Sequence, residues 1–242
     1  MAWNSLEGVV LDTVRVNDRT SIAHVYTDRC GLISVAVSQG RSAGARQQRS
    51  MFLPLSLIAM EARQQSGRDV CIVRDVQRTH DLTALYADPA RNAIAMFITE
   101  LLTRTIIERE ANAALYNYLT TAVRLLATID RGVANFHICF LYHLGRFIGI
   151  EPAIDTYHEG WWFDMQGGVF IAQGEGRPHV LPPPQAAALQ LISRMTFANL
   201  AHFRLTREQR NEILDTVLTY YRLHHSTLGT LRSPAILKQL FT

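Results

Sequence analysis

Lysine is nearly missing from this chain. Of its 24 basic residues among 242, all but Lys238 are arginine, so positive charge sits on planar, bidentate donors that suit phosphate oxygens and stack on bases, although a GC-rich genome would produce the same bias. Carboxylates are missing locally, since none occurs between Asp28 and Glu61. Inside that acid-free window lies SQGRSAGARQQRS, residues 38–50, where Arg41, Arg46 and Arg49 accompany Gly40 and Gly44 with no sequence neighbour to neutralise them. Paired cysteines are absent too: Cys30, Cys71 and Cys139 lie far apart without a CxxC, which argues against a disulfide framework or a cysteine zinc site and fits a reducing cytoplasm. No apolar run approaches the roughly 18 residues that cross a bilayer, and MAWNSLEGVV lacks the basic and apolar regions of a signal peptide. A soluble cytoplasmic protein without membrane association is the expectation.

What the chain does contain is enough apolar material, 48% of residues, for one large domain or two ordinary ones. The net charge of +3 is only mildly basic, so affinity for nucleic acid must come from clustering. Period-2 patterns fill the first eighty residues. In GLISVAVS, Ile33, Val35 and Val37 alternate with Ser34, Ala36 and Ser38; TSIAHVYT behaves similarly, and Gly31 turns the chain between them. Runs at about 6–16, 52–63 and 69–78 complete five strands, read as antiparallel. Five short strands in this space predict a small closed barrel, an OB-fold in first place and an SH3-like barrel in second. The arginine stretch becomes the long, flexible loop between strands three and four.

Helical periodicity takes over near Asp81–Pro89, which places a boundary between a barrel domain at 1–80 and a helical domain at 81–242. Asp88 is positioned to cap a helix with Pro89 in its first turn, and Ile94, Phe97, Ile98, Leu101 and Leu102 share one face. Helices at about 111–127 and 134–149 are expected to bundle with it. A small hairpin is expected near 160–173, in EGWWFDMQGGVFIAQ, followed by helices at about 185–201, 206–224 and 233–241. The fold class is therefore α+β.

The sequence offers no reaction centre. The histidines are scattered, His137-x-Cys139-x-x-x-His143 is not a recognised zinc spacing, Glu159 and Asp164 read as solvated turn residues, and Cys71 reads as a strand-buried thiol. No nucleophile elbow or phosphate-binding lysine loop is present. The loop, by contrast, joins exposed guanidiniums, glycines and freedom from carboxylates, the requirements of phosphate binding. Arg15 and Arg19, in the turn between the first two strands, are further candidates for contact with DNA. A second candidate site is the tract YYRLHHSTLGTLRSPAILKQLF, which has no acid after Asp215. There Tyr221, Arg222, Arg232 and Lys238 would line a groove for an acidic, hydrophobic peptide tail, against the more usual role of such apolar residues, packing the last helices.

EGVVLDTVRVNDRTSIAHVYTDRCGLISVAVSQGRS followed by FLPLSLIAMEAR resembles the N-terminal domain of the RecO family of bacterial recombination mediators. FLYHLGRFIGIEP and the closing tract resemble later segments of the same family. The resemblance implies an OB-fold followed by a helical domain, binding of single- and double-stranded DNA, and strand annealing. It also implies partnership with RecR and with the C-terminal tail of the single-stranded-DNA-binding protein, and indirect service to RecA. It implies no catalytic residue and no cofactor. The family's basic loop maps onto Gln39, Gly40 and Arg41, with Arg46 and Arg49 following; Gln39 stands where a lysine is frequent. Many relatives carry a four-cysteine zinc knuckle, whereas the equivalent region here, Trp161 to Ala172, has no cysteine, so no structural zinc is expected. The alternatives are a protein-interaction scaffold whose barrel does not touch DNA and, third, an enzyme.

Overall fold

A computed structural model describes residues 3–64, 69–107 and 109–240; Phe241, at the end of the expected last helix, lies outside them. The chain divides into two compact units, Met1–Thr128 and Ile129–Thr242. The change from strands to helices near 81–89 falls inside the first.

The first unit is built on β1 (Asn4–Arg15), β2 (Thr20–Thr27), β3 (Gly31–Ser38), β4 (Leu57–Gln64) and β5 (Val70–Arg78), closed into a barrel in the order β1-β2-β3-β5-β4. Closure removes the open edges that five short strands would otherwise present. The expected alternation holds: Ala23 and Val25 of β2 and Val35 and Val37 of β3 enter the core with Leu6, Val10, Ile58 and Met60, and the residues between them face outward. Gly31 makes the β2–β3 turn with φ +61°, and a Cβ there would lie 2.5 Å from the Glu110 carbonyl oxygen, so only glycine fits.

Three expectations for this unit are corrected. The closing pair β3–β5 is parallel, through Ser34↔Val70 and Val35↔Cys71, because closure brings together strands separated by a crossover, which alternation within a strand cannot reveal. The fourth strand begins at Leu57, not near 52, since Leu55 adopts φ +62° and turns the chain. The arginine loop is not a flexible connector: residues Ala43–Met51 form a helix, α1. Beyond the barrel come a short helix, α2 (Thr83–Ala87), and two longer ones, α3 (Pro89–Thr105) and α4 (Ala113–Thr128). The Asp88 side chain accepts from the Arg91 amide, so the cap and the following proline serve as read from the sequence.

The second unit contains α5 (Phe136–Phe147), α6 (Pro183–Ser193) and α7 (Arg207–His224), and α5 packs on the other two; the helices α3 and α4, with which periodicity alone groups α5, belong to the first unit. The expected hairpin is β6 (Trp162–Asp164) with β7 (Val169–Ile171), widened to three strands by β8 (Val180–Leu181) in the order β7-β6-β8. The proline-led helix stops at Ser193, short of the expected 201, and α8 (Ser233–Leu240) follows α7. Thr206 and Gln209 form a reciprocal capping box that starts α7. Phe136, Phe140, Phe163 and Tyr221 fill the core. No helix among the described residues is long and apolar enough to cross a membrane.

Candidate nucleic-acid interface

The helix α1 has the wrong composition for a self-sustaining helix. It carries no acid in its first turn, buries none of its residues, and places Arg46 and Arg49 three apart on one face, an arrangement that leaves the helix dipole uncompensated at its start and adds like-charge repulsion of a few tenths of a kcal/mol. Local bonds and the barrel hold it. The Ser42 hydroxyl accepts from the Ala45 amide at 3.2 Å, and beyond the last turn Phe52 is buried in the barrel core at 3% exposure. The Thr13 hydroxyl donates to the Phe52 carbonyl at 3.1 Å, tying this plug to β1.

Arg49 is partly committed to that scaffold. Its guanidinium donates to the carbonyls of Gly40 at 2.7 Å and Ser38 at 3.4 Å, so it fixes the turn entering α1 and is only half exposed. Gly40 is likewise a packing residue: its amide donates to Ser38 Oγ at 3.2 Å, and a Cβ there would meet Ser38 and Ala45. Gly44, in the first helical turn, has nothing within 4 Å of an added Cβ and supplies the open backbone that Gly40 does not. Arg41 and Arg46 are exposed. Neither forms an ion pair among the described residues.

Two other parts of the barrel meet the same end. The Gln39 amide donates to the Arg19 carbonyl at 2.8 Å, which seats the β1–β2 turn beside the entrance to α1. Arg19 is exposed, whereas Arg15 is matched by Asp18 at 2.6 Å. A solvated pair of this kind is worth little and parts readily. Arg78, at the end of β5, donates to the Ser50 carbonyl in the last turn of α1. Nothing in the sequence marks this residue as a member of the cluster, since it lies 29 positions beyond Arg49 and only the strand pairing returns it. One short helix thus carries Arg46 and Arg49, is preceded by Arg41, is bonded at its last turn by Arg78 and has the backbone of Arg19 tied to Gln39 ahead of its start.

The broad outer face of the barrel has a different character. OB barrels commonly use the β2–β3 face and the neighbouring loops for oligonucleotides. Here the outward positions of those strands are Ile22, His24, Leu32, Ser34 and Ala36, with no arginine and no exposed ring. His24 Nδ1 lies 2.5 Å from Asp12, whose hydrogen bond holds the imidazole pKa above its ordinary value against partial burial. A cavity of about 510 Å³ lies over this pair and is lined also by Cys30, Cys71, Ile106 and Ile107. Burial, and secondarily Cys30, pushes the Cys71 thiol up, as suits an inert half-buried cysteine.

In the second unit the candidate tail site is dispersed. Tyr221 is 1% exposed and its hydroxyl donates to the Leu141 carbonyl at 2.5 Å, so it is a core residue and cannot meet a peptide. Lys238 holds Asp215 at 2.6 Å. Arg222 and Arg232 remain on the surface. His137 is buried at 3% exposure, and burial together with Arg210 drives its pKa down to about 3. Cys139 and His143 both point at the Met195 carbonyl, at 3.6 and 2.6 Å. Among the described residues no three His, Cys, Asp or Glu converge to hold a metal ion.

The first unit is therefore an OB-type barrel with a short arginine-bearing helix at one end, and it continues into helices ahead of a second, mostly α unit. The chain belongs to the RecO family: the family model "Recombination protein O C terminal" matches residues 86–231. Relatives named DNA repair protein RecO are similar over nearly their whole length. Those of Phocaeicola vulgatus and Bacteroides fragilis are each 34% identical, over 235 and 238 residues, covering 97% of this chain and 98% and 97% of theirs. That of Porphyromonas gingivalis is 32% identical over 241 residues, 96% of this chain and 97% of its own.

Proposed function

We propose that this protein is a non-catalytic recombination mediator in bacterial DNA repair, working in the cytoplasm at the nucleoid. It binds single- and double-stranded DNA through the α1 end of its barrel, anneals complementary strands, and acts with RecR to help load RecA on strands coated by the single-stranded-DNA-binding protein. The observation that carries this reading is the set of exposed Arg19, Arg41 and Arg46, with Arg78 bonded to the last turn, on and beside a helix that has no carboxylate of its own. Arginines in such a cluster release counterions from phosphate and reduce the repulsion between two approaching strands, after which base pairing supplies the driving force. No nucleotide hydrolysis is needed.

The decisive experiment is annealing of complementary oligonucleotides coated with the cognate single-strand-binding protein. The chain should accelerate it without ATP; a rate equal to that of the unassisted reaction would defeat the proposal. The acidic tail of that binding protein is assigned to the surface around Arg222 and Arg232, because the tract from 216 onward contains no carboxylate side chain. A fluorescent acidic tail peptide should bind at micromolar concentration and lose most of its affinity with Arg222→Glu or Arg232→Glu. Unaltered binding by both variants would move the tail elsewhere.

A scaffold that binds only protein is the second reading, favoured by the arginine-free β2–β3 face. A gel shift with unlabelled competitor DNA at moderate salt separates the two.

A further inference from the structure

Near the end of α1 the first unit carries a cavity of about 310 Å³ lined by Leu53, Leu57, Leu82 and Tyr86 together with Ser56 and Thr83. We propose that this cavity receives one unpaired nucleotide of a bound single strand, its base against the leucines and Tyr86 and its phosphate on Arg78; the inference rests on the DNA-binding reading and deepens it.

Several features select this occupant. The walls are rigid: Leu57 and Leu82 are 2% and 5% exposed, and the Tyr86 hydroxyl donates to the Pro54 carbonyl at 2.9 Å and lies 3.2 Å from Ser56 Oγ. The rim carries a cation, Arg78, which also holds the last turn of α1, so a phosphate there lies on the same track as those met by Arg41 and Arg46. His80 lies on the rim as well, with its Nδ1 3.0 Å from the Thr79 hydroxyl, and burial and secondarily Arg124 lower its pKa. Leu53 is 39% exposed at the mouth, an apolar edge left uncovered next to a basic surface. An apolar slot of this size with one cation and a few polar groups at its lip matches a planar heterocycle on a charged backbone.

A paired base cannot enter, because its edge and both its faces are already occupied in the duplex. The slot therefore adds affinity for single strands alone, while the arginines serve both forms. It would hold a strand by one splayed base and leave the adjoining bases free to find their complement.

The test uses the full chain, a short oligothymidylate and a duplex of the same length, read by fluorescence anisotropy at several salt concentrations. Ala87→Phe places a ring in the cavity from an exposed position of α2, and Leu53→Asp sets a negative charge at its mouth. Loss of one stacked base predicts about a tenfold weaker single strand for Ala87→Phe, with duplex affinity and the salt slope of both forms unchanged, since every guanidinium that meets a phosphate is still in place. Leu53→Asp should weaken the single strand more than the duplex. Equal losses on both forms in either variant, or unaltered single-strand affinity in both, would overturn the slot while leaving DNA binding intact. A wild-type chain that binds neither probe would overturn the DNA-binding reading itself, and the slot with it.

Discussion

Replacing Arg19, Arg41 and Arg46 together by alanine is expected to flatten the logarithmic salt dependence of single-strand binding by about 2, at roughly 0.7 for each phosphate that is no longer neutralised. The drop in affinity should be largest at low salt and shrink as salt rises, because what disappears is counterion release. Arg49 is left out of the triple set deliberately. It donates to two backbone carbonyls at the entrance to α1, so its removal would displace the helix as well as delete a charge, and the two effects would be inseparable in one measurement. Arg177, an exposed arginine of the second unit, is the control, and its replacement by alanine should leave the slope alone. An unchanged slope in the triple variant would take α1 out of the DNA interface, whatever happened to the affinity.

Acid should destabilise the protein earlier than its carboxylates require. His137 has a folded-state pKa of about 3 against an ordinary value of 6.5, so below pH 6.5 the unfolded chain takes a proton that the folded one refuses. Stability contributed by this group is complete above pH 6.5 and falls as pH drops toward 3, by close to a factor of ten in the folding equilibrium for each pH unit. His24 has the opposite sign. Its pKa is raised, mainly by the hydrogen bond to Asp12, so its contribution is present at and below pH 6.5 and is lost as pH climbs through the raised value. With about a third of its side chain exposed, that contribution is the smaller of the two. Urea unfolding at pH 6.5 and pH 5, above the main carboxylate range, isolates the histidines. His137→Gln should remove most of the wild-type difference between those two pH values; an identical decline in the variant would mean that another group titrates there.

The parts of the fold that are legible in the sequence are those with a single dominant cause. Alternation in β2 and β3, the Gly31 turn and the Asp88–Pro89 helix start each follow from a local physical demand, and each is found in place. Helix α1 is invisible because Ala-Gly-Ala-Arg-Gln-Gln-Arg has no apolar face; its signals are the Ser42 cap and Phe52 at the far end, which act only once the barrel exists to receive the phenylalanine. The parallel closure of β3 on β5 is a property of the crossover, not of either strand. For the interface, charge and freedom from local acids mark Arg41 and Arg46, which the structure leaves exposed, but composition cannot show that Arg49 is bonded to backbone or that Arg78 returns to the same place. Tyr221 misleads for a related reason: an aromatic residue in a basic tract reads equally well as ligand platform or as core, and only packing tells them apart.

No residue of α1 is fully buried, so its attachment is a matter of a few polar bonds, the half-buried Met51 against the barrel core and the Phe52 ring just beyond its end. Arg46 and Arg49 are thereby carried on a helix that lies outside the barrel wall and is fastened to it at both ends. Under the proposed DNA-binding role, a helix attached in this way offers its guanidiniums to a lone strand or a double helix without asking the β-structure beneath it to deform.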